Sequence, residues 1–516
     1  MIFCKSYFPR LYNVAVRYVQ TKSENVQPLE NGKLLCKYLN ICDRTAENLI
    51  EKQPVISKLN EEDIKRICEC LHEIGFSQKV LVEEPVFFGI RPITIKYRHK
   101  VLKECGIGNV TSALVAKYLK IVKKTTIGEL KKSGYIPVHL NVENKLISYM
   151  KQWPTSFTPS TNEEIDKISL YTLRLNILQK YLGCVLYLTN EEFYRHIKTH
   201  KNIIHRPLEY ISEVLSILQT QILIPNFKIK SNLYLIHADL ENLKNILHNF
   251  QTLGGMDVRD VINMYPKVAM RNCQIMLEIQ KVLEEYQISH EAQQKCFNIY
   301  NLGAKTVRER IEEAKTTPEF SVYYNHPKFL NMIYHKNLVT KRLNILNKNN
   351  KKCITLNILL GSSTSYQDFV KSSGDKLGKG KDLIFCIYEV LGRKFRKCEI
   401  RKIVQRHPFW MYTSLIQVKY MYEQLSMQYT DQDIFENCPI LLYPLQKVND
   451  IINTLQKGEY DNMSHEYSNI FHEKLNFNLL NNSQKLSLVL YILERNHHFS
   501  GNGMEQEGHR VETATL

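Results

Sequence analysis

Between Lys371 and Arg406 the chain carries eleven basic side chains: Lys371, Lys376, Lys379, Lys381, Arg393, Lys394, Arg396, Lys397, Arg401, Lys402 and Arg406. Only Asp375, Asp382, Glu389 and Glu399 oppose them, a net of +7 in 36 residues. Cations at this density bind phosphates, because every contact releases condensed counterions; the plain alternative is a solvated helix face. Ile400, Ile403 and Val404 recur at a helical step that turns inward before Pro408, which predicts that Lys394, Lys397, Arg401 and Lys402 project from the other side. Secondary candidates are Lys305, Arg308, Arg310, Lys341, Arg342, Arg91, Lys96 and Arg98, each on or near a longer helix.

Other chemistry finds little support. The stretch GDKLGKGKD has the glycines and lysines of a phosphate loop but not its spacing, since Lys379 comes five residues after Gly374 and no Ser or Thr follows a Gly-Lys pair. His497 and His498 have no cysteine nearby to complete a zinc site. Phe409 and Trp410 follow Pro408 at a packing position and read as core rather than as base-stacking platforms. No nucleophile stands at a recognisable spacing from a base. The 13 cysteines are scattered without a Cys-x-x-Cys pair, which reads as reduced core thiols.

The elements that must position the cations are announced by six prolines. Pro54, Pro85, Pro266, Pro327, Pro408 and Pro439 each have apolar residues five and four positions before and two after, as in Leu49/Ile50/Ile56 and Val261/Ile262/Val268. Pro54 to Pro85 and Pro408 to Pro439 are both 31 residues, and Pro266 to Pro327 is 61. A fixed period near 31 predicts stacked supersecondary units, each burying its apolar face only against its neighbours. Thr45, Ser77, Asp257, Thr317 and Thr430 are candidate N-caps, so each unit opens with a short helix. Proline then ends that helix, and a longer amphipathic helix returns, as in Val418/Met421/Leu425 or Ile275/Leu277/Val282/Leu283. Between Pro85 and Pro266 the frame is lost over 181 residues, close to six periods, while helical spacing persists at Tyr171/Leu175/Leu178/Leu182 and Ile211/Leu215/Leu218/Ile222. Degenerate repeats are expected there.

With 516 residues and 44% apolar content the chain can bury a large core, and no apolar run is long enough to span a membrane. Residues 1–23 hold Lys5, Arg10, Arg17 and Lys22 with no acid before Glu24, the composition of a mitochondrial presequence. The net charge of +17 suggests a polyanionic partner, nucleic acid or anionic lipid. Residues 351–380 read as an insertion in the repeat array, residues 457–516 as a polar extension with room for one helix at Leu486/Leu490/Leu493, and Ser500 to Leu516 as disordered.

The unit resembles the repeat of the mitochondrial transcription termination factor family. The matching segments are TAENLIEKQPVIS, LHEIGFSQKVLVEEPVFF, DVRDVINMYPKVA, FSVYYNHPKFL, EIRKIVQRHPFWM and DIFENCPILLYP, with the lead-in best kept at Leu71, Gly75, Phe76 and Ser77. Length, presequence and the LGKGKD segment make the chain most similar to the insect branch. The resemblance implies an all-α superhelical solenoid of triple-helical repeats over residues 30–456, two α-helices and a 3₁₀ turn after the proline in each, with a basic groove for double-stranded nucleic acid. It also implies a matrix protein that binds double-stranded mitochondrial DNA and acts in transcription or its termination, with no cofactor and no membrane insertion. Two further readings stay open: a factor that binds ribosomal RNA in ribosome assembly, and an adaptor brought to DNA by another member of the family.

Overall fold

A 3₁₀ turn of five residues is the recurring element of this protein. The computed structural model describes residues 28–457 and 477–495, apart from 154–156, 159, 373 and 409. The expected presequence, Phe409, His497, His498 and the stretch from Ser500 onward lie outside the described residues. The chain forms two compact units, Met1–Glu241 and Asn242–Leu516. Both are helical, and the described strands are only Thr252–Leu253 and Met256–Asp257, a hairpin turned by Gly254 and Gly255 at positive φ. No described helix is long and apolar enough to cross a membrane.

Proline opens the 3₁₀ turns Pro54–Lys58, Pro85–Gly89 and Pro266–Met270, and occupies the second place in Cys438–Leu442. Pro327 and Pro408 lie instead in irregular turns, so the 3₁₀ expectation holds at four of the six. The same turn also forms without proline, at Lys201–His205, Leu233–His237 and Phe297–Asn301. The residue that precedes it takes one conformation in either case: Gln53 (φ −137°, ψ 83°), Glu84 (−125°, 73°) and Tyr265 (−126°, 73°) before proline. Without proline it is His200 (−124°, 59°), Asn232 (−123°, 48°) and Cys296 (−148°, 63°). Its carbonyl accepts a hydrogen bond from the N–H three residues on, at 3.0 Å for Ile56 to Gln53 and 3.2 Å for Ile203 to His200. That third residue is buried in every one of these turns: Ile56, Phe87, Ile203, Leu235, Val268 and Ile299. Burial of one apolar side chain, worth about 1.5–3 kcal/mol, thus accompanies the turn whether or not proline is present.

Turn starts at 201, 233, 266 and 297 continue the period. Degenerate repeats therefore occupy the end of the interval in which the proline frame is lost. Its beginning is different: five helices of five to seven residues, Ser112–Ala116, Tyr118–Lys124, Ile127–Lys132, Val142–Ile147 and Asn162–Asp166, precede the long helix Leu170–Leu186.

Polar side chains one repeat earlier tie down the ends of three of these turns. Arg174 Nη2 donates to the Arg206 carbonyl, Arg206 Nη1 to the Ala238 carbonyl at 3.0 Å, and Asn242 Nδ2 to the Arg271 carbonyl at 2.6 Å. All three acceptors are the residue that closes a 3₁₀ turn. These are carbonyls that a helix end leaves without an internal partner.

Two local expectations need correction. Cys42, not Thr45, is the N-cap of Asp43–Lys52, and Ser77 lies outside Val80–Glu83, whereas Asp257, Thr317 and Thr430 do occupy N-cap positions. In Cys273–Glu285 the inward stripe is Cys273, Met276, Ile279, Val282 and Leu283, and Ile275 is exposed. Within residues 351–380, read as an insertion, the chain forms the helices Leu356–Leu360 and Ser363–Lys371. Lys351 Nζ pins the chain after them through the carbonyls of Ser372 (2.7 Å) and Gly374 (2.6 Å).

Candidate nucleic-acid interface

The basic segment is carried by two packed helices, Lys381–Val390 and Lys397–Val404. The first is fixed at its start by two glycines. Gly378 (φ 66°) and Gly380 (φ 63°) bring the backbone through the left-handed region, and Gly380 is buried so closely under Trp410 that an added Cβ would enter the ring. Leu377 N–H donates to the Met411 carbonyl at 2.8 Å. The LGKG loop is thereby docked on the turn that follows Pro408, and Lys376, Lys379, Lys381 and Arg406 flank that junction in the chain. Trp410 therefore packs against backbone, as its position after the proline suggested.

In Lys397–Val404 the buried residues are Ile400 and Val404, while Ile403 is half-buried. At 100° per residue this leaves Lys402 facing directly away, puts Arg401 on the flank and brings Lys397 beside the buried arc. Lys397 bends over two rings of the neighbouring helix, 4.4 Å from the centre of Tyr388 and 5.5 Å from Phe385. Lys394 lies outside the helix and pairs with Asp431 at 2.5 Å. Tyr422 donates to the same carboxylate at 2.7 Å, and Lys394 and Tyr422 together hold Asp431 below the usual carboxylate range. Arg393, at φ 61°, pairs with Glu389 at 2.9 Å. Lys379, Lys381, Lys402 and Arg406 are exposed and Arg401 half-exposed, and among the described residues no carboxylate pairs with any of them.

The four acids of the segment are engaged elsewhere. Asp375 accepts from the backbone N–H groups of Lys352 (2.7 Å) and Cys353 (3.0 Å), and buried Asp382 accepts from Leu356 N–H at 3.0 Å. Glu389 accepts from Asn325 (2.9 Å) as well as Arg393, and Glu399 accepts from the Arg396 N–H at 3.4 Å. Negative charge is thus bound to backbone and to ion pairs, and five cations keep an uncompensated field that attracts phosphate.

The secondary candidates separate by burial. Lys305, Lys341 and Arg91 are exposed. Arg308 makes a bidentate pair with Glu285 (2.5 and 2.6 Å). Arg310 donates to the carbonyls of Ile333 and Tyr334, both at 2.9 Å, and so closes the end of the helix Phe329–Tyr334. Arg342 is only 6% exposed and donates to the carbonyls of Leu359 (2.8 Å) and Gly361 (2.7 Å). Its charge serves the fold, and it is withdrawn from the binding set. Lys96 pairs with Glu73, and Arg98 stacks its guanidinium 5.5 Å above Tyr118. The sequence reading passed over one group altogether, the exposed lysines of KYLKIVKK at residues 117–124. Their helical spacing was the signal available.

Over 491 residues, 94% of this chain and 85% of the relative, the protein is 28% identical to the mitochondrial transcription termination factor 5 of Drosophila melanogaster. No family model and no solved structure matches it.

Proposed function

We propose, from the premise that this chain is related to the insect branch of the mitochondrial transcription termination factors, that it is a mitochondrial nucleic-acid-binding regulator of transcription. In this reading it binds double-stranded mitochondrial DNA in the matrix, acts at termination, and carries no catalytic group. The observation that carries the proposal is the state of Lys379, Lys381, Arg401, Lys402 and Arg406: they have no carboxylate partner, while every acid of their segment is occupied. Affinity then comes mainly from phosphate contacts, and Arg401 and Arg406 are the side chains able to read guanine edges in a major groove.

The test is a salt titration of duplex binding. Changing Lys381, Arg401, Lys402 and Arg406 to Gln is expected to weaken binding and to flatten the plot of log affinity against log salt by about 0.9 for each lost contact, roughly three to four in total. Changing Lys394 and Lys397 instead is expected to move the slope little, because an ion pair and two aromatic rings already hold them. A full-affinity quadruple variant with an unchanged slope would reduce the patch to a solvated surface. Preference for a ribosomal RNA duplex over DNA would shift the reading to ribosome assembly, since only the 2′-hydroxyls and groove shape separate the two.

A further inference from the structure

The helix Tyr118–Lys124 carries a second concentration of uncompensated positive charge, in the unit Met1–Glu241. Tyr118, Ile121 and Val122 are buried, whereas Lys117, Lys120, Lys123 and Lys124 are exposed. At 100° per residue the three buried side chains fall on one arc, and the four lysines share an arc of about 120° on the opposite side. Lys117 and Lys120, and Lys120 and Lys124, are three or four residues apart, a spacing at which like charges repel. Nearby acids do not relieve that repulsion. Glu129 exchanges hydrogen bonds with Thr126 in a capping box (2.9 and 3.2 Å), and Asp166 pairs at 2.8 Å with Lys131, which is itself buried. Among the described residues no carboxylate pairs with any of the four lysines. Lys123 lies 5.3 Å over the Tyr171 ring, so one edge of the patch is aromatic.

We propose that Lys117, Lys120, Lys123 and Lys124 form a second phosphate-binding surface, one that grips a nucleic-acid backbone without reading its sequence. The proposal rests on the nucleic-acid reading above and assigns to it a different unit and a different task. Lysine presents a point charge rather than the planar fork that fixes a base-edge contact, and residues 117–132 contain no Arg, Asn or Gln, so contacts from this helix favour phosphate over base edges. An anionic membrane is the weaker occupant, because the apolar face that a surface helix would insert into lipid is here buried in the protein.

The experiment uses the full chain, with all four lysines changed to Gln and, separately, to Arg. Affinity for two duplexes of unrelated sequence is measured over a range of salt, alongside thermal melting and flotation with vesicles of phosphatidylcholine and an anionic phospholipid. For the Gln variant the expected result is an equal loss of affinity for both duplexes and a salt slope flatter by about 0.9 per lost contact, with an unchanged melt; the Arg variant keeps wild-type binding. An unchanged slope, a loss confined to one duplex, or a loss seen only with the vesicles would overturn it. Wild-type protein that binds no duplex at all would remove the nucleic-acid reading too, whereas a binding wild type with an indifferent Gln variant would remove only this surface.

Discussion

Arg174 and Glu104 show what a charge costs when the fold closes over it. Arg174 is fully buried, pairs with Glu104 at 3.1 Å and donates to the Ile204 carbonyl at 3.0 Å, while Glu104 accepts from the N–H groups of Leu208 (2.9 Å) and Glu209 (3.1 Å). Arg174→Met should destabilise the protein by about 3–5 kcal/mol, because the carboxylate is left buried without its counter-charge. Adding Glu104→Gln should recover part of the loss in a denaturant melt; a single variant with an unchanged midpoint would contradict the geometry. The same residue type explains why the secondary candidates were only partly legible. Sequence displays a charge but not the carbonyls brought to it, and those bound by Arg342 lie 16 to 19 residues away. Even so, helical position held a clue. Arg342 shares the buried stripe Val339/Leu343/Leu346, and Arg174 shares Leu170/Leu173/Ile177/Leu178, so a cation on an inner stripe is a structural one.

At the scale of the element, the unit of short helix, turn and long helix was legible because burial two residues past the proline follows from apolar spacing. What proline spacing could not show was the same turn built on Lys201, Leu233 and Phe297. If the backbone conformation and the buried third residue carry the turn, Pro266→Ala should cost about 1 kcal/mol or less, whereas Val268→Asp should cost several, as a charge without a partner in a packed core. Equal losses in thermal unfolding would show that proline is the essential part. Gly380→Ala tests the junction that presents the basic segment. It meets both a positive φ and the Trp410 ring, and a loss on the order of 1–3 kcal/mol is expected, with weakened duplex binding as the LGKG loop leaves its dock. Wild-type melting and wild-type binding together would mean that the dock is dispensable. The helices Leu356–Leu360 and Ser363–Lys371 were not legible, being too short for a periodic signal.

For the molecule as a whole, acid is the condition that should unfold it. Burial pushes the imidazoles of His99, His196, His205 and His326 down to about 4 and that of His237 to about 3. Such a group is neutral in both states above its ordinary value near 6.5. Below that, the unfolded chain takes up protons that the folded chain refuses, so stability falls as pH drops from about 6.5 toward 4. The melting temperature should decline across that window, and His196→Gln with His237→Gln should make the decline shallower; an equally steep profile in the double variant would place the acid sensitivity elsewhere. The all-α class was legible from periodicity, and the described residues bear it out.

The turn that forms with or without proline also bears on how such an array can be recognised. Of the seven five-residue 3₁₀ turns described, Lys201–His205, Leu233–His237 and Phe297–Asn301 contain no proline, yet each keeps its buried third residue. Proline is then a mark that accompanies the turn without being required for it. A pattern written around proline therefore misses three of the seven turns, while the backbone conformation and the buried third residue find all of them. Kinship in such arrays is better sought in the recurrence of a single hidden aliphatic or aromatic side chain than in the residue that bends the backbone.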